Sequence, residues 1–477
     1  MNNSKQAQHP RRGHDLTQGP ILRTLLAFSV PTLVSNVLQT LGGTINTIWV
    51  GQLIGDRALA ATANANMVMF LVFAFVFGFG MAATVKVGQY FGAHDYDAAR
   101  RIFGTGTGFC AAFALVGGFA GFLSSDWLLR ALSTPPAIHD MARAYLDVVF
   151  LTMPFGTVSM MVSMSLRGAG DPKTPLYAMI LTTILGIALN PVLILGLGPA
   201  PRLGIAGSAL ANALASFIGL AAMITYIYWQ DIPIRLKGRE LRYLLPHRSE
   251  LAYVLGKGLP MGGQMAITTV AGVIMFGLVN REGLMAAAAY GACLQIWSYI
   301  QMPAFAISTA VSAMVAQNVG AGRHDRVEPV TMAGVKANIL MTGLLAVLLL
   351  LFDGPLLSLF LGHGSQAIPI AEHVQVLVTW SYVLMGVTMV LSGTMRSYGA
   401  VMLPLIAMVI AMYPARLGFY ALAYPHIGVD AVWWSFPAGT FASLALTWLI
   451  YTRGGWRQHP PHVSPAELRA EEAILAE

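Results

Sequence analysis

Apolar runs of about 20 residues recur along the whole chain, separated by short polar or glycine-containing turns. Six lie at about 24–50, 58–90, 100–124, 142–166, 174–198 and 205–230, and six more at about 253–280, 285–315, 329–352, 374–397, 401–424 and 430–452. A helix of that length spans the ~30 Å hydrocarbon of a bilayer while satisfying its own backbone hydrogen bonds. The pattern therefore predicts an all-α integral membrane protein with about twelve transmembrane helices.

The twelve divide into two sets. VGQYFGAHDYDA (Val87 to Ala98) is answered by VAQNVGAGRHDR (Val315 to Arg326) after a shift of 228 residues. RGAGDPKTPLYAM (Arg167 to Met179) is answered by RSYGAVMLPLIAM (Arg396 to Met408) after a shift of 229, the same interval that separates Pro31 from Pro260. Near-equal shifts at separated points indicate a duplicated unit. Six spans per copy means that both copies insert facing the same way, as lobes related by a pseudo-two-fold axis along the membrane normal. The expected organisation is a cytoplasmic tail (1–20), an N-lobe (21–230), a basic cytoplasmic linker (231–252), a C-lobe (253–452) and a second cytoplasmic tail (453–477).

Composition and charge sharpen this picture. Of the 477 residues 56% are hydrophobic and 10% charged, where a soluble domain carries about a quarter charged residues. With both termini placed inside, 22 of the 28 Lys and Arg fall on the inner side, and 6 (Arg57, Arg130, Arg143, Arg202, Arg281 and Arg416) on the outer side or within a span. That asymmetry is the positive-inside bias. It explains the net charge of +7 by topology and by attraction to anionic lipid, with no nucleic-acid partner.

Several stretches resemble the multidrug and toxic compound extrusion family of transporters, over most of the chain from about Pro31 to Thr452. They are TIWVGQLIGDRALAATA (Thr47 to Ala63), VGQYFGAHDYDAARR (Val87 to Arg101), LRGAGDPKTPL (Leu166 to Leu176), GIAGSALAN (Gly204 to Asn212) and KGLP (Lys257 to Pro260). The resemblance implies a twelve-helix exporter in the plasma (inner) membrane, with two six-helix lobes around a central cleft. It implies expulsion of amphipathic, often cationic compounds in exchange for H⁺ or Na⁺. The motifs themselves read as architecture: Gly92, Ala93, Gly320 and Ala321 sit at helix ends, where small residues permit sharp turns or close contact.

The resemblance also implies acids in the first and fifth spans, and here the chain departs from it: those positions are Asn46 and Asn190. A carboxamide cannot carry a proton, although its carbonyl can ligate Na⁺. Asn46 and Asn190, with Asn66, Gln39 and Asn36, form the neutral polar set expected to serve ion coupling, against a purely structural alternative of interhelical hydrogen bonding. Asp147 reads as an interfacial group, and Lys86 as a side chain that snorkels to the inner face. A substrate cleft between lobes favours polarizable and aromatic side chains. Its candidates are Met67, Phe70 and Phe77 in the second span, Gln264 and Met265 in the seventh, and Gln295, Trp297, Tyr299 and Met302 in the eighth.

Other signals carry less. GTGTG (Gly104 to Gly108) lacks the GK[ST] ending of a phosphate-binding loop and reads as close helix packing. Cys110 and Cys293 lie in apolar spans, which argues against a disulfide or a metal site, and no cofactor is expected. Three readings stand: an exporter of small molecules, acting as a monomer and driven by an ion gradient; a flippase for lipid-linked sugars of the same wider superfamily; and a membrane-embedded enzyme. The last would need a cluster of acids, His or a nucleophile within the spans, and the sequence offers none.

Overall fold

The computed structural model describes residues 15–132, 134–198, 201–362 and 364–458. They form helices and turns, with no strand among the described residues. The first half holds α1 (Ile21–Leu53), α2 (Asp56–Gly92), α3 (Tyr96–Ala131), α4 (Pro136–Gly168), α5 (Lys173–Leu195) and α6 (Ile205–Trp229). The second half opens with α7 (Arg248–Arg281), α8 (Leu284–Gly320), α9 (Val327–Leu351) and the short α10 (Asp353–Leu361). It ends with α11 (Ala367–Val378), α12 (Ser381–Ser397), α13 (Met402–Ile410), α14 (Arg416–Ile427) and α15 (Asp430–Arg453).

Among the described residues ten helical stretches are long and apolar enough to cross a bilayer, and α11 with α12, bent by 44°, makes an eleventh. The 24 residues of α15 occupy the twelfth place and extend about 36 Å at 1.5 Å per residue. A π turn at Ala411–Ala415 joins α13 to α14. Pro414, which has no N–H to give to the helical ladder, lies inside that turn.

The backbone repeats as the sequence does. α2 and α8 each run for 37 residues and end on a glycine. The turn entering them has φ 109° at Gly55 and 105° at Gly283, and the turn leaving them has φ 57° at His94 and 70° at Gly322. Packing repeats too: α2 lies on α4 as α8 lies on α12, α5 on α6 as α14 on α15, and α2 on α7 as α8 on α1. Lipid removes most of the hydrophobic gain from helix association, so the helices hold together by close contact at small residues. Where α2 crosses α7, a Cβ on Gly78 would sit 2.3 Å from the Gly258 carbonyl oxygen, while Leu115, Val116, Phe119 and Leu123 of α3 stay exposed, as a lipid-facing stripe would.

Each half takes the opening segment of the other into its core. Leu16, Leu25 and Phe28 pack with Ile307, Met314, Met395 and Trp456. Ile232, Ile234 and Leu236 of the linker pack with Ile102, Phe103, Leu166 and Met223 of the first half. The linker is therefore an apolar wedge as well as a basic tie. The GTGTG run meets another helix as expected, Gly106 facing Met161 of α4, and its outer glycines also receive this linker. A Cβ on Gly108 would lie 1.8 Å from the Leu244 carbonyl oxygen, and the His247 N–H donates to Thr105 Oγ1 at 3.2 Å. The Tyr243 hydroxyl donates to Asp97 at 3.0 Å; partial burial, then this bond, raises the phenol above its ordinary value, so it remains a neutral donor. Most of the two expected polar tails lies outside the described residues.

Candidate functional site

The two halves meet along α2 and α8, and the contacts there are reciprocal. The rings of Phe77 and Phe305, 228 positions apart, touch edge to face with centroids 6.0 Å apart. Three turns on, a Cβ on Gly88 would lie 2.9 Å from the Ala316 side chain. At the helix ends a Cβ on Gly92 would sit 1.9 Å from the Gln317 carbonyl oxygen, and one on Gly320 would sit 1.8 Å from that of Gln89. The glutamine side chains cross the same way. Gln89 Nε2 donates to the Ser397 carbonyl at the end of α12 (2.8 Å), and Gln317 Nε2 to the Gly168 carbonyl at the end of α4 (3.1 Å). Both glutamines are buried. The halves are thus sealed from the phenylalanine pair to the end marked by Gly92 and Gly320. Beyond the pair, toward the start of α2, Met67 is 65% exposed, and Phe70 and Phe73 are exposed as well.

The seal is not quite symmetric. Gln317 Oε1 accepts the Leu16 N–H at 3.0 Å, Arg323 donates to the Thr17 carbonyl at 2.6 Å and Arg326 to the Gly19 carbonyl at 3.0 Å, so the segment before α1 is strapped onto the end of α8. Gln89 Oε1, its counterpart, is buried with no partner among the described residues. Removing Gln317 orphans a buried N–H and a buried carbonyl, at about 1–3 kcal/mol each. Gln317→Ala is therefore expected to loosen the sealed end more than Gln89→Ala. Alkylation of a cysteine introduced at Ala316 measures this; equal rates in the two variants would contradict it.

Among the ion-coupling candidates, Asn46 has the richest surroundings. Its Oδ1 accepts from Ser208 Oγ at 2.8 Å and from Asn212 Nδ2 at 3.1 Å, both on α6. Asn190 is 1% exposed; its Nδ2 donates to the Gly186 carbonyl at 2.7 Å, and its Oδ1 is buried without a partner among the described residues. Gly186 in turn faces Asn212 Oδ1, which brings the two sets within a helical turn of each other. Asn36 is half-buried, Gln39 and Asn66 are exposed, and no hydrogen bond among the described residues joins them to Asn46 or Asn190. Asp147 accepts from Ser125 Oγ and lies 3.8 Å from Arg143.

The cleft candidates separate by burial. Met67 and Phe70 are exposed, Phe77 closes the floor with Phe305, and Gln264 Oε1 lies 3.5 Å from Arg396 Nη1. Met265 and Tyr299 are half-buried and Gln295 is exposed. Trp297 does not reach the cleft: it is fully buried inside the second half, and its indole N–H donates to Gln375 at 2.9 Å and Thr379 at 3.1 Å. Met302 is also buried. The indole needs a hydrogen-bond partner as well as apolar cover, and α11 supplies both.

Sequence reasoning missed the Ser208–Asn212 pair and Glu250, and it misread Lys86. Ser208 and Asn212 stand four apart in the GIAGSALAN stretch, on one helix face, and that spacing was the available signal. Lys86 does not snorkel outward; it is buried with Nζ 4.8 Å from the Tyr90 ring centroid and 5.1 Å from that of Tyr253. Glu250, 4% exposed in the first turn of α7, accepts from the Tyr90 hydroxyl at 3.2 Å and balances the charges of Lys86 and Arg101.

Comparison with known proteins agrees with this geometry. The MatE family model matches twice, over residues 31–192 and 260–422, one match in each half. The chain is similar to the probable multidrug resistance protein YoeA of Bacillus subtilis, with 32% identity over 93% of this chain and 96% of that one. It is 25% identical to an FAD transporter of Shewanella oneidensis, over 85% of this chain and 90% of that one. Among solved structures it resembles an outward-facing multidrug resistance MATE family transporter of the MOP superfamily, with TM-score 0.85 and 20% identity over 93% of this chain and 98% of that one. A MOP superfamily transporter of Pyrococcus furiosus gives TM-score 0.84 at 20% identity, with the same shares covered.

Proposed function

The chain belongs to the MatE family of multidrug efflux transporters, and from that premise we propose that it is a secondary antiporter that exports amphipathic, cationic organic compounds against an H⁺ or Na⁺ gradient by alternating access. The observation that carries the proposal is the seal along α2 and α8, shut at the Gly92 and Gly320 end while α2 is uncovered beyond Phe77. Two lobes so joined exchange access by rocking about the phenylalanine contact, which breaks the paired glutamine bonds on one side and closes the cleft on the other. The positive-inside bias supports a cytoplasmic placement of the sealed end, the linker and both termini, and on this reading the protein acts as a monomer in the plasma membrane.

The coupling ion meets the first lobe at α1, α5 and α6. Asn46 Oδ1 already accepts two hydrogen bonds, which fills its lone pairs. The Asn190 oxygen, buried and without a donor among the described residues, has the free acceptor that a cation requires. With no carboxylate in contact, such a site holds Na⁺ weakly. One relative of this chain is an FAD transporter, and its cargo is anionic.

Reconstituted vesicles with an imposed H⁺ or Na⁺ gradient, loaded with fluorescent organic cations, test the proposal. Export is expected to follow one of the two gradients and to stop when it is collapsed. Movement indifferent to both gradients would refute antiport.

A further inference from the structure

A buried cation inside the second lobe has no ion-pair partner among the described residues. Arg416 opens α14 directly after the π turn and is 9% exposed, with its guanidinium carbon 3.5 Å from the centroid of the Phe436 ring. Its stem passes between α14 and α15 because position 439 is a glycine, whose added Cβ would lie 3.0 Å from the Arg416 Cβ. Stacking occupies the face of the guanidinium and leaves its edge, where every N–H points, unused. Nε and Nη2 find no acceptor among the described residues. The ionisable groups within electrostatic reach are Tyr290 of α8 and Tyr382 of α12, and no hydrogen bond among the described residues engages either hydroxyl.

Four acids of this half are held elsewhere. Asp430 lies 2.9 Å from His373, Glu328 lies 3.5 Å from Arg457, Glu282 accepts from the Tyr424 hydroxyl, and Asp353 accepts the Gly354 N–H. Arg416 thus keeps unpaired N–H groups beside two phenol hydroxyls, packed among Phe436 and Trp297, with no carboxylate paired to it among the described residues. A buried charge is costly unless it is paired and its hydrogen bonds are satisfied. One small anion meets both needs.

We propose that Arg416, with the Tyr290 and Tyr382 hydroxyls, forms a site for a single monovalent anion in the core of the second lobe. The charge comes either from a free halide or from the carboxylate of a transported amphiphile, and only the second source rests on the export reading. In the first case the site is an anion-loaded structural element. In the second it selects zwitterions and anions, which a purely cationic substrate class would not include.

The test uses the full chain, purified in detergent in sodium HEPES, with chloride or benzoate replacing the buffer anion at constant ionic strength. Thermal unfolding of the parent should shift upward and saturate. Half-saturation in Arg416→Gln should weaken by roughly tenfold or more. A shift with chloride alone identifies the free ion, and a shift at lower benzoate than chloride identifies the carboxylate. No shift with either anion in the parent, or an identical titration in folded Arg416→Gln, overturns the site. Should Arg416→Gln not fold, the Tyr290→Phe/Tyr382→Phe variant keeps the charge and should still weaken half-saturation; an unchanged titration there overturns the assignment. Anion binding intact in a protein that shows no gradient-driven export would retain the site and remove the transport reading.

Discussion

Gly92→Val is expected to abolish transport while leaving the two lobes folded. The Cβ it introduces would fall 1.9 Å from the Gln317 carbonyl oxygen, which is backbone and cannot swing aside. Overpacking of this kind costs about 1–3 kcal/mol. Because the contact exists only where α2 and α8 are sealed, that cost falls on the sealed state alone. The balance between access states then moves by about 5- to 150-fold toward the state with this end open. Gly320→Val meets the Gln89 carbonyl at 1.8 Å and should do the same. A cysteine at Ala316, fully buried in the parent, reports the change through faster alkylation from the newly opened end. Gly256→Ala is the control, since its added Cβ meets nothing within 4 Å. Normal transport and slow alkylation in Gly92→Val would show that the seal is not part of the cycle.

The seal was half legible in the sequence. The 228-residue shift pairs Gln89 with Gln317, Gly92 with Gly320 and Phe77 with Phe305, and a two-fold axis along the membrane normal requires such residues to face one another or their images. Span positions were legible for a simpler reason: lipid demands a long apolar helix, whatever its neighbours. Local pattern, however, says nothing about which lobe a terminal segment joins. Leu16 stands in a polar stretch and the linker reads as a basic loop, yet Leu16, Ile232, Ile234 and Leu236 are all buried in the opposite lobe's packing. Burial direction failed in the same way for Trp297 and Lys86. An aromatic or a long basic side chain in a span suits a cleft or an interface equally well, and the partners that decided the matter, Gln375 for Trp297 and Glu250 with Tyr253 beside Lys86, lie 78 or more residues away in sequence. Arg416 was visible as a charge within a span, but its lack of an ion-pair partner among the described residues depends on where the acids of the lobe ended up.

The polar cluster of the first lobe leads to the second large effect. Asn46→Asp is expected to strengthen or create pH-dependent transport. The substitution is nearly isosteric, and the two donors already aimed at Oδ1, Ser208 at 2.8 Å and Asn212 at 3.1 Å, suit a carboxylate oxygen at least as well as an amide oxygen. What changes is the capacity to take up and release a proton, which a carboxamide does not have. In the ionised form the new carboxylate holds the Ser208 and Asn212 donors of α6, and once protonated it becomes a donor itself and the same contacts must rearrange, so the packing of α1 on α6 becomes linked to pH. Asn190, whose own Oδ1 is unpaired among the described residues, then has an anionic companion nearby, and Na⁺ affinity should rise in the ionised form. Transport by mutant and parent across a series of external pH values, with and without Na⁺, checks both consequences. An active mutant whose profile overlays that of the parent would mean that this position takes no part in coupling, and that Ser208, Asn46 and Asn212 serve only to hold α1 against α6.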